Sequence, residues 1–213
     1  VDFIQDLCAG GGGMIDMDTA AVAATFEAAL HAAGGAVALV DALLGGTART
    51  GFAALRPPGH HALAGRAMGF CFFNNVAVAA RHALDVRGLE RVAIVDFDVH
   101  HGNGTEDIVA GDERILMASI FQHPLYPYSG AVPKGTNMVN VPVPPYTRGP
   151  AVRALIEENW LSRLDSFAPQ MIFVSAGFDA HRDDELGQLG LVEADYTWIT
   201  EKIKALADKH AGG

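Results

Sequence analysis

Short apolar runs alternate with longer helix-forming stretches along most of the chain. The runs are rich in branched and aromatic residues and are bounded by turn residues, which is typical of buried strands. The predicted strands cover residues 52–55, 92–97, 115–120, 138–143 and 171–176. The predicted helices cover residues 74–86, 105–110, 151–167 and 193–209. This alternation predicts an α/β fold of three layers, in which a mostly parallel sheet carries helices on both faces.

The region before these elements is rich in alanine and is interrupted by glycines. Residues 20–33 and 36–44 have a helix-forming composition and are separated by Gly34 and Gly35, so we expect two helices there. Residues 10–13 are all glycine. This run is not expected to bind phosphate, because no predicted strand precedes it and it lacks the sequence context of a phosphate-binding loop.

Composition and charge narrow the class of protein. The chain has 213 residues, half of them hydrophobic, which is enough for a substantial core and favours a single domain spanning residues 1–213. A formal net charge of −10 argues against direct nucleic-acid binding and favours amine-bearing substrates. Glu27 and Asp41 interrupt the apolar stretch around residues 20–44, so no membrane insertion is expected. Only Cys8 and Cys71 are present and no secretory signal is found, which predicts a cytoplasmic protein.

Polar residues follow three of the predicted strands at the point where each strand ends. They occupy residues 56–61, 96–103 and 175–184. An isolated histidine pair or a single aspartate at such a position is usually a turn former or a helix cap. Because the carboxyl ends of parallel strands lie along one edge of a sheet, however, we expect the three clusters to converge.

The most informative stretch is the run Asp-Phe-Asp-Val-His-His-Gly-Asn-Gly at 96–104. Residues two apart on an extended backbone share a face, so Asp96, Asp98 and His100 should point one way and His101 the other. Buried carboxylates beside imidazoles are costly without a cation. With Asp179 as a third ligand beside Asp98 and His100, the residues predict a zinc site with an open coordination position, which is typical of catalytic zinc.

Four motifs together resemble the histone deacetylase family of zinc amidohydrolases, which has the arginase/deacetylase fold. They are Arg-Pro-Pro-Gly-His-His-Ala at 56–62, Met-Gly-Phe-Cys-Phe-Phe-Asn-Asn at 68–75, the run at 96–104, and Gly-Phe-Asp-Ala-His at 177–181. The Arg-Pro-Pro-Gly form of the first motif, together with Asn103, is similar to the class II and bacterial branch of the family.

The resemblance implies two cation sites. Asp98, His100 and Asp179 would bind one catalytic Zn²⁺. A structural monovalent cation, K⁺, would lie nearby. Its oxygen ligands would come from Asp96, Asp98, His100, Ser119 and Ile120.

The resemblance also implies a division of roles between the adjacent histidines. His61 would be the general base that takes a proton from the attacking water and then the acid that protonates the leaving amine. His60 would be its electrostatic partner. Asp96 would orient His60 and Asn103 would orient His61. A carboxylate beside one imidazole and a neutral amide beside the other should set the two pKa values apart.

An aromatic tunnel for the acyl-lysine side chain is the third implication. Gly69, Phe70 and Tyr126 fall at the matching positions, with Leu186 at the rim. Such a slot would grip the methylene stem of a lysine. Asp184 and Glu185 depart from the usual Asp-Pro of the family, which affects the expected shape of the rim. Phe72 or Phe73 is expected to pack in the core, and so is Cys71, which has no neighbouring base.

The implied activity is zinc-dependent hydrolysis of the acetyl amide of N-acetyl-lysine or a related acetylated amine. An acetylpolyamine amidohydrolase is the alternative within the same chemistry, although residues 121–137 are short where that branch carries a long insertion. An arginase-like enzyme would need two manganese ions, and its second position would have to use Asn103 and His101. A non-catalytic module that binds metal and acylated ligands is the alternative from another class.

One family feature has no counterpart in the 213 residues. Family members have a strand that ends in Glu-Gly-Gly-Tyr, whose tyrosine stabilises the oxyanion, and this chain ends at His-Ala-Gly-Gly. We therefore expect the central portion of a longer catalytic domain, shortened at both ends and inactive or weakly active as it stands. A sheet with an exposed edge would also favour a homo-oligomer.

Overall fold

Four of the apolar runs form a parallel sheet at the centre of the protein, as a computed structural model of residues 1–213 shows. The strands of this sheet are β3 (Val92–Asp96), β4 (Ile115–Gln122), β5 (Met138–Val143) and β6 (Met171–Ser175). Their spatial order is β5-β4-β3-β6, and every neighbouring pair is parallel. A separate antiparallel pair is formed by β1 (Gly12–Met14) and β2 (Ala20–Val22).

Seven α-helices surround these strands. They are α1 (Asp2–Ala9), α2 (Thr25–Leu44), α3 (Asn75–Asp85), α4 (Asn103–Val109), α5 (Gly149–Ile156), α6 (Ser162–Phe167) and α7 (Glu193–His210). A π-helical turn, Glu157–Leu161, joins α5 to α6.

The central sheet has a hydrophobic cluster on each face. Val95 on one face of β3 belongs to a cluster that includes Trp160 and Ile199. Its neighbour Ile94 points to the other face and belongs to a cluster with Leu84. This alternation follows from the two-residue repeat of a strand. The predicted three-layer α/β fold is therefore confirmed.

The alanine-rich region differs from its prediction, because α2 is one continuous helix. Gly34 and Gly35 lie in its interior, where each costs roughly 1 kcal/mol relative to alanine. The good helix formers on both sides outweigh that cost. Asp41 of α2 also accepts hydrogen bonds from His82 of α3 at 2.6 Å and from Arg87, just after α3, at 2.7 Å.

The predicted strand at residues 52–55 is also wrong, because this segment pairs with no strand. It lines a cavity of about 490 Å³ together with β6. The apolar run thus contributes to a cavity wall beside the sheet, and the periodicity alone could not reveal the missing partner.

By length and composition, α2 is the one helix that could cross a membrane. A core helix of a water-soluble protein meets the same criterion. Ala29, Ala32 and Val40 of α2 are buried against the rest of the protein.

The register of the central sheet aligns the ends of its strands. Asp96, the last residue of β3, lies opposite Ser119 of β4 and Ser175 of β6. The segments that follow β3 and β6 therefore leave the sheet side by side at its carboxyl edge, where open α/β sheets place their binding sites.

Candidate active site

Asp98, His100 and Asp179 meet at this edge of the sheet. His100 Nδ1 lies 3.1 Å from Asp98 Oδ1 and 2.9 Å from Asp179 Oδ2. One ligand atom from each of the three residues falls within 4.8 Å of the other two. Two carboxylates and an imidazole at this spacing suit a divalent cation such as Zn²⁺.

The turn after β3 explains how two residues of this cluster come from one short segment. Asp96 Oδ1 accepts a hydrogen bond from the backbone N of Asp98 at 3.2 Å, and Asp98 Oδ1 accepts one from the backbone N of His100 at 2.8 Å. Asp179, which lies in the segment after β6, accepts a hydrogen bond from Val99 N at 2.9 Å. Asp96, Asp98 and His100 are therefore grouped, as strand alternation predicted. The cause differs, because consecutive turns after β3 bring them together.

The electrostatics of the cluster also favour a cation. The pKa of Asp98 lies well below its usual range although burial alone would raise it, because His60 and His100 stabilise the carboxylate. Burial raises the pKa of Asp179, and the negative charge of Asp98 adds to this effect. Two carboxylates with pKa values pulled apart in this way can both ionise when a cation binds between them.

Gly177 keeps Asp98 in place through a close backbone approach. A Cβ atom on Gly177 would overlap Oδ2 and Cγ of Asp98. We therefore expect Gly177→Ala to weaken zinc affinity by about 10- to 100-fold, the usual effect of disturbing a residue that supports a ligand. Zinc affinity is measured by competition with a chelator.

The matched control for this substitution is Gly34→Ala. No atom lies within 4 Å of a Cβ on Gly34. This variant should leave zinc affinity unchanged and raise the melting temperature slightly, because alanine favours the helix. Equal zinc affinity of both variants and the unsubstituted protein would contradict the role given to Gly177.

The two adjacent histidines lie beside the Asp98 cluster with different partners. His60 Nδ1 donates to Asp96 Oδ2 at 3.0 Å, and Asp96 is completely buried. His61 Nδ1 donates to the amide oxygen of Asn103 at 2.8 Å, since that oxygen can only accept. The prediction that Asp96 contacts His60 and that Asn103 contacts His61 therefore agrees with the geometry.

The pKa values of the two imidazoles diverge. Burial lowers the pKa of His60, but the charges of Asp98 and Asp96 outweigh it and raise the value to about 9. Burial lowers the pKa of His61, and the positive charge of His60 lowers it further, to about 3. His61 is thus neutral near pH 7, with its Nε2 lone pair free.

Helix α4 anchors the histidine pair. The backbone N–H groups of Gly104 and Thr105 both donate to the carbonyl oxygen of His60 at 3.0 Å. Asn74 holds the following turn by donating to Ala62 O at 3.0 Å. The free N–H groups at the start of a helix need acceptors, and here the carbonyl oxygen of His60 accepts from two of them.

Of the predicted tunnel residues, Gly69 and Tyr126 border His61. Gly69 has a φ of +55°, and a Cβ on it would lie 2.6 Å from His61 Cδ2. The Tyr126 ring stands edge-on to His61 at a centroid distance of 5.2 Å. Phe70 and Leu186 are 53% and 59% exposed, so both are available at the protein surface.

The remaining residues singled out in the sequence have simple environments. Phe72 is buried in a cluster with Cys8, as expected for core packing. Cys71 is fully buried, and burial raises the pKa of its thiol to about 12, which does not suit a nucleophile. Ser119 is fully buried and its hydroxyl has no hydrogen-bond partner. An unpaired oxygen in register with Asp96 fits the predicted monovalent cation site.

Sequence reasoning missed the surroundings of His101. Its ring points away from the Asp98 cluster, as predicted, and contacts Glu106 and Ser129. Glu106 is a fully buried acidic residue in the first turn of α4. An acidic residue at the start of a helix is ordinarily explained by the helix dipole, so the sequence gave no reason to pair it with His101.

The fold and site define an α/β protein with a candidate metal centre and a buried histidine pair at the carboxyl edge of a parallel sheet. The chain matches the model of the histone deacetylase domain over residues 2–212. It belongs to this family.

Similar proteins come from plants, archaea and bacteria. Histone deacetylase 14, chloroplastic, of Arabidopsis thaliana is 42% identical over 92% of this chain and 49% of its own length. A probable deacetylase of Archaeoglobus fulgidus is 40% identical over 95% of this chain and 58% of its own length. A histone deacetylase-like amidohydrolase of Pseudomonas aeruginosa is 40% identical over 95% and 55%, respectively. The chain thus spans about half the length of these curated relatives.

A solved structure confirms the fold. The crystal structure of the HDA15 HD domain superimposes with a TM-score of 0.93 and is 34% identical, covering 98% of this chain and 62% of the other. The predicted arginase/deacetylase-like α/β fold is therefore correct.

Proposed function

We propose that the protein hydrolyses the acetyl amide of N-acetyl-lysine or of a related acetylated amine, with one Zn²⁺ bound by Asp98, His100 and Asp179. The observation that supports this most strongly is the convergence of a three-residue ligand set with a neutral, oriented imidazole, His61. When bound, Zn²⁺ would act as a Lewis acid that polarises the acyl oxygen and acidifies water.

His61 is the proposed general base. Its Nδ1 is engaged by Asn103 at 2.8 Å, so the proton-accepting atom is Nε2. Because its pKa lies below 7, the imidazole is neutral and its Nε2 carries a lone pair that can accept a proton from the attacking water, although so low a pKa makes it a weak base. The same Nε2 then returns that proton to the departing amine nitrogen.

His60 is the proposed electrostatic partner of His61. Its ring centroid lies 4.0 Å from that of His61, and Asp96 holds its Nδ1. A cation bound at Asp98 would compete with His60 for the charge of that carboxylate, which leaves Asp96 as the partner that orients the ring. A positive His60 favours the return of a proton from His61 to the leaving amine.

The slot beside His61 supports an alkyl amide substrate. Tyr126 and Gly69 form its inner walls, and a flat aromatic face packs well against the methylene stem of a lysine. Exposed Phe70 and Leu186 are proposed as the outer wall and the rim. We also propose that a structural K⁺ binds near Asp96 and Ser119. A cytoplasmic location is proposed as well. Two unpaired, buried cysteines are compatible with a reducing compartment.

The proposal predicts that the full-length protein, loaded with zinc, releases acetate from an acetyl-lysine peptide. We expect a higher kcat/KM for this peptide than for acetylputrescine, because residues 121–137 carry no long insertion that would narrow access to the slot. The measurement is amine release from both compounds at equal enzyme concentration, together with metal content by mass spectrometry. One Zn²⁺ per chain is expected.

The other outcomes separate the alternatives. A higher kcat/KM for acetylputrescine would favour an acetylpolyamine amidohydrolase. Two Mn²⁺ per chain would favour an arginase-like enzyme, although the only cluster with metal-ligand spacing consists of Asp98, His100 and Asp179. Zinc binding without release of amine from either compound would favour a binding module and overturn the proposed activity.

A further inference from the structure

A buried polar network lies behind the proposed active site, on the side of the chain opposite the metal ligands. Its centre is His101, which is 1% exposed and follows the proposed ligand His100 directly. His101 Nδ1 lies 2.8 Å from Ser129 Oγ, and Nε2 lies 3.2 Å from Glu106 Oε2 in an ion-pair contact that lacks hydrogen-bond geometry. The proposed reaction uses none of these three side chains, so the burial of a histidine and an acid here needs another explanation.

Glu106 extends the network to the segment that joins β4 to β5, residues 123–137, which we call the Tyr126 loop. Its Oε1 accepts hydrogen bonds from the backbone N of Lys134 at 3.1 Å and from Asn140 Nδ2 at 2.9 Å. Asn140 Nδ2 also donates to Gly130 O at 3.0 Å. Two side chains that follow the metal ligands, His101 and Glu106, therefore hold this loop through several contacts.

The contact between His101 and the loop leaves no spare room. A Cβ on Gly130, which has a φ of +88°, would lie 2.6 Å from both Cγ and Cδ2 of the His101 ring. The ring also packs against Phe121 at a centroid distance of 4.6 Å, and the same Cβ would lie 2.6 Å from Phe121 Cζ. The position of His101 thus determines how closely the backbone at Gly130 approaches the sheet.

Tyr126 lies on the same loop, three residues before Ser129. A tight turn connects the two, since Tyr128 N donates to Leu125 O at 2.7 Å. The Tyr126 ring lies 5.2 Å from the His61 ring and 6.3 Å from the His100 ring. Any shift of the loop at Ser129 or Gly130 is therefore transmitted to the wall of the slot.

We propose that His101 and Glu106 are positioning residues that set the distance of Tyr126 from the histidine pair, and so determine how tightly the alkyl stem of the substrate is held. This proposal rests on the proposed function for its substrate, but the geometry of the loop does not. Because neither residue contacts the reacting atoms, their loss should raise KM and leave kcat nearly unchanged.

The test compares Glu106→Ala with the conservative Glu106→Gln in the full-length protein. Glutamine retains an acceptor for Lys134 N and Asn140, so it should restore the position of the loop. We expect Glu106→Ala to raise KM for an acetyl-lysine peptide about tenfold, with kcat and zinc affinity within about twofold of the unsubstituted protein. A change of this size is expected when a few methylenes of the substrate stem pack less closely against Tyr126. Glu106→Gln should stay within about threefold of the unsubstituted protein in KM, since it loses only the charge.

Amide hydrogen exchange supplies a readout that needs no activity. In the zinc-loaded protein, Glu106→Ala should speed exchange in the Tyr126 loop and leave β3 protected. Asp107→Asn is the matched control, since Asp107 also contacts Lys134 but only through its exposed ammonium group. Ser129→Ala, which removes one contact and leaves the core intact, should give a smaller change in the same direction.

The outcomes are separable. Lower kcat or zinc affinity in Glu106→Ala with KM unchanged, or equal exchange of the loop in Glu106→Ala and Asp107→Asn, would overturn the positioning role. If Glu106→Ala does not fold, the same measurements of KM, kcat, zinc affinity and loop exchange on Ser129→Ala test the positioning role. If the unsubstituted protein hydrolyses no acetylated amine, the proposed function fails, and hydrogen exchange alone then decides whether the network holds the loop.

Discussion

Replacing His61 with alanine is expected to lower kcat by roughly 100- to 10,000-fold, the usual contribution of a general acid or base. The imidazole has no substitute nearby, because Asp96 holds Nδ1 of the neighbouring His60 at 3.0 Å and Nε2 of that ring lies 3.7 Å from Asp98 Oδ2, one of the proposed metal ligands. Zinc affinity should be nearly unchanged, since His61 is not among the three proposed ligands. The measurement is kcat for an acetyl-lysine peptide with the zinc content of each preparation recorded.

His31→Ala is the control for this substitution, since His31 is an exposed residue of α2. It should match the unsubstituted protein in both kcat and zinc content. A His61→Ala variant that binds zinc and keeps kcat within about threefold would eliminate His61 as the base, because a general base contributes far more than that. Loss of zinc together with kcat would instead assign His61 to metal binding.

Replacing Asp179 with alanine should weaken zinc affinity by at least about 100-fold, because even residues that only support a ligand are worth roughly 10- to 100-fold. Asp179 is the one proposed ligand that follows β6, so its loss leaves Asp98 and His100 from a single turn. It also removes the acceptor for Val99 N, which loosens that turn. Zinc affinity by chelator competition and kcat/KM at limiting zinc are the two measurements.

Asp183→Ala serves as the matched control, because Asp183 lies four residues further along the same loop and its side chain is 71% exposed. Its zinc affinity should equal that of the unsubstituted protein. Excess zinc should partly restore kcat/KM in Asp179→Ala, as expected for weakened binding. Unchanged zinc affinity in Asp179→Ala would remove this residue from the ligand set.

Periodicity predicted the sheet well because its strands are buried on both faces. Every residue of β3 and β4 is buried, so each strand appears in the sequence as a continuous apolar run with clear ends. Residues 52–55 have the same appearance but no partner strand, and pairing is a property of two segments that one run cannot reveal. Gly34 and Gly35 caused the opposite error, because one helix was predicted as two. A long alanine-rich helix tolerates the local free-energy cost of two glycines.

The chemistry of the site was predictable where the motif residues themselves carry it. Asp98, His100 and Asp179 could be grouped because polar residues that follow parallel strands converge. Contacts made by residues with no reactive group were not predictable. A glycine at 177 permits a close backbone approach, but the sequence did not indicate that Asp98 would occupy the space beside it, or that Glu106 would reach the backbone of Lys134. Both depend on distances that only the folded chain defines.

The shared register of β3 and β6 makes the geometry of the candidate metal centre depend on the distant core. A shift of β6 by one residue along β3 would move Asp179 by about 3.3 Å, which exceeds the length of any metal–ligand bond. That register is maintained by apolar side chains such as Val95 on one face and Ile94 on the other. Under the proposed function, a substitution far from the ligands that loosens strand pairing should therefore first become visible as weaker zinc binding.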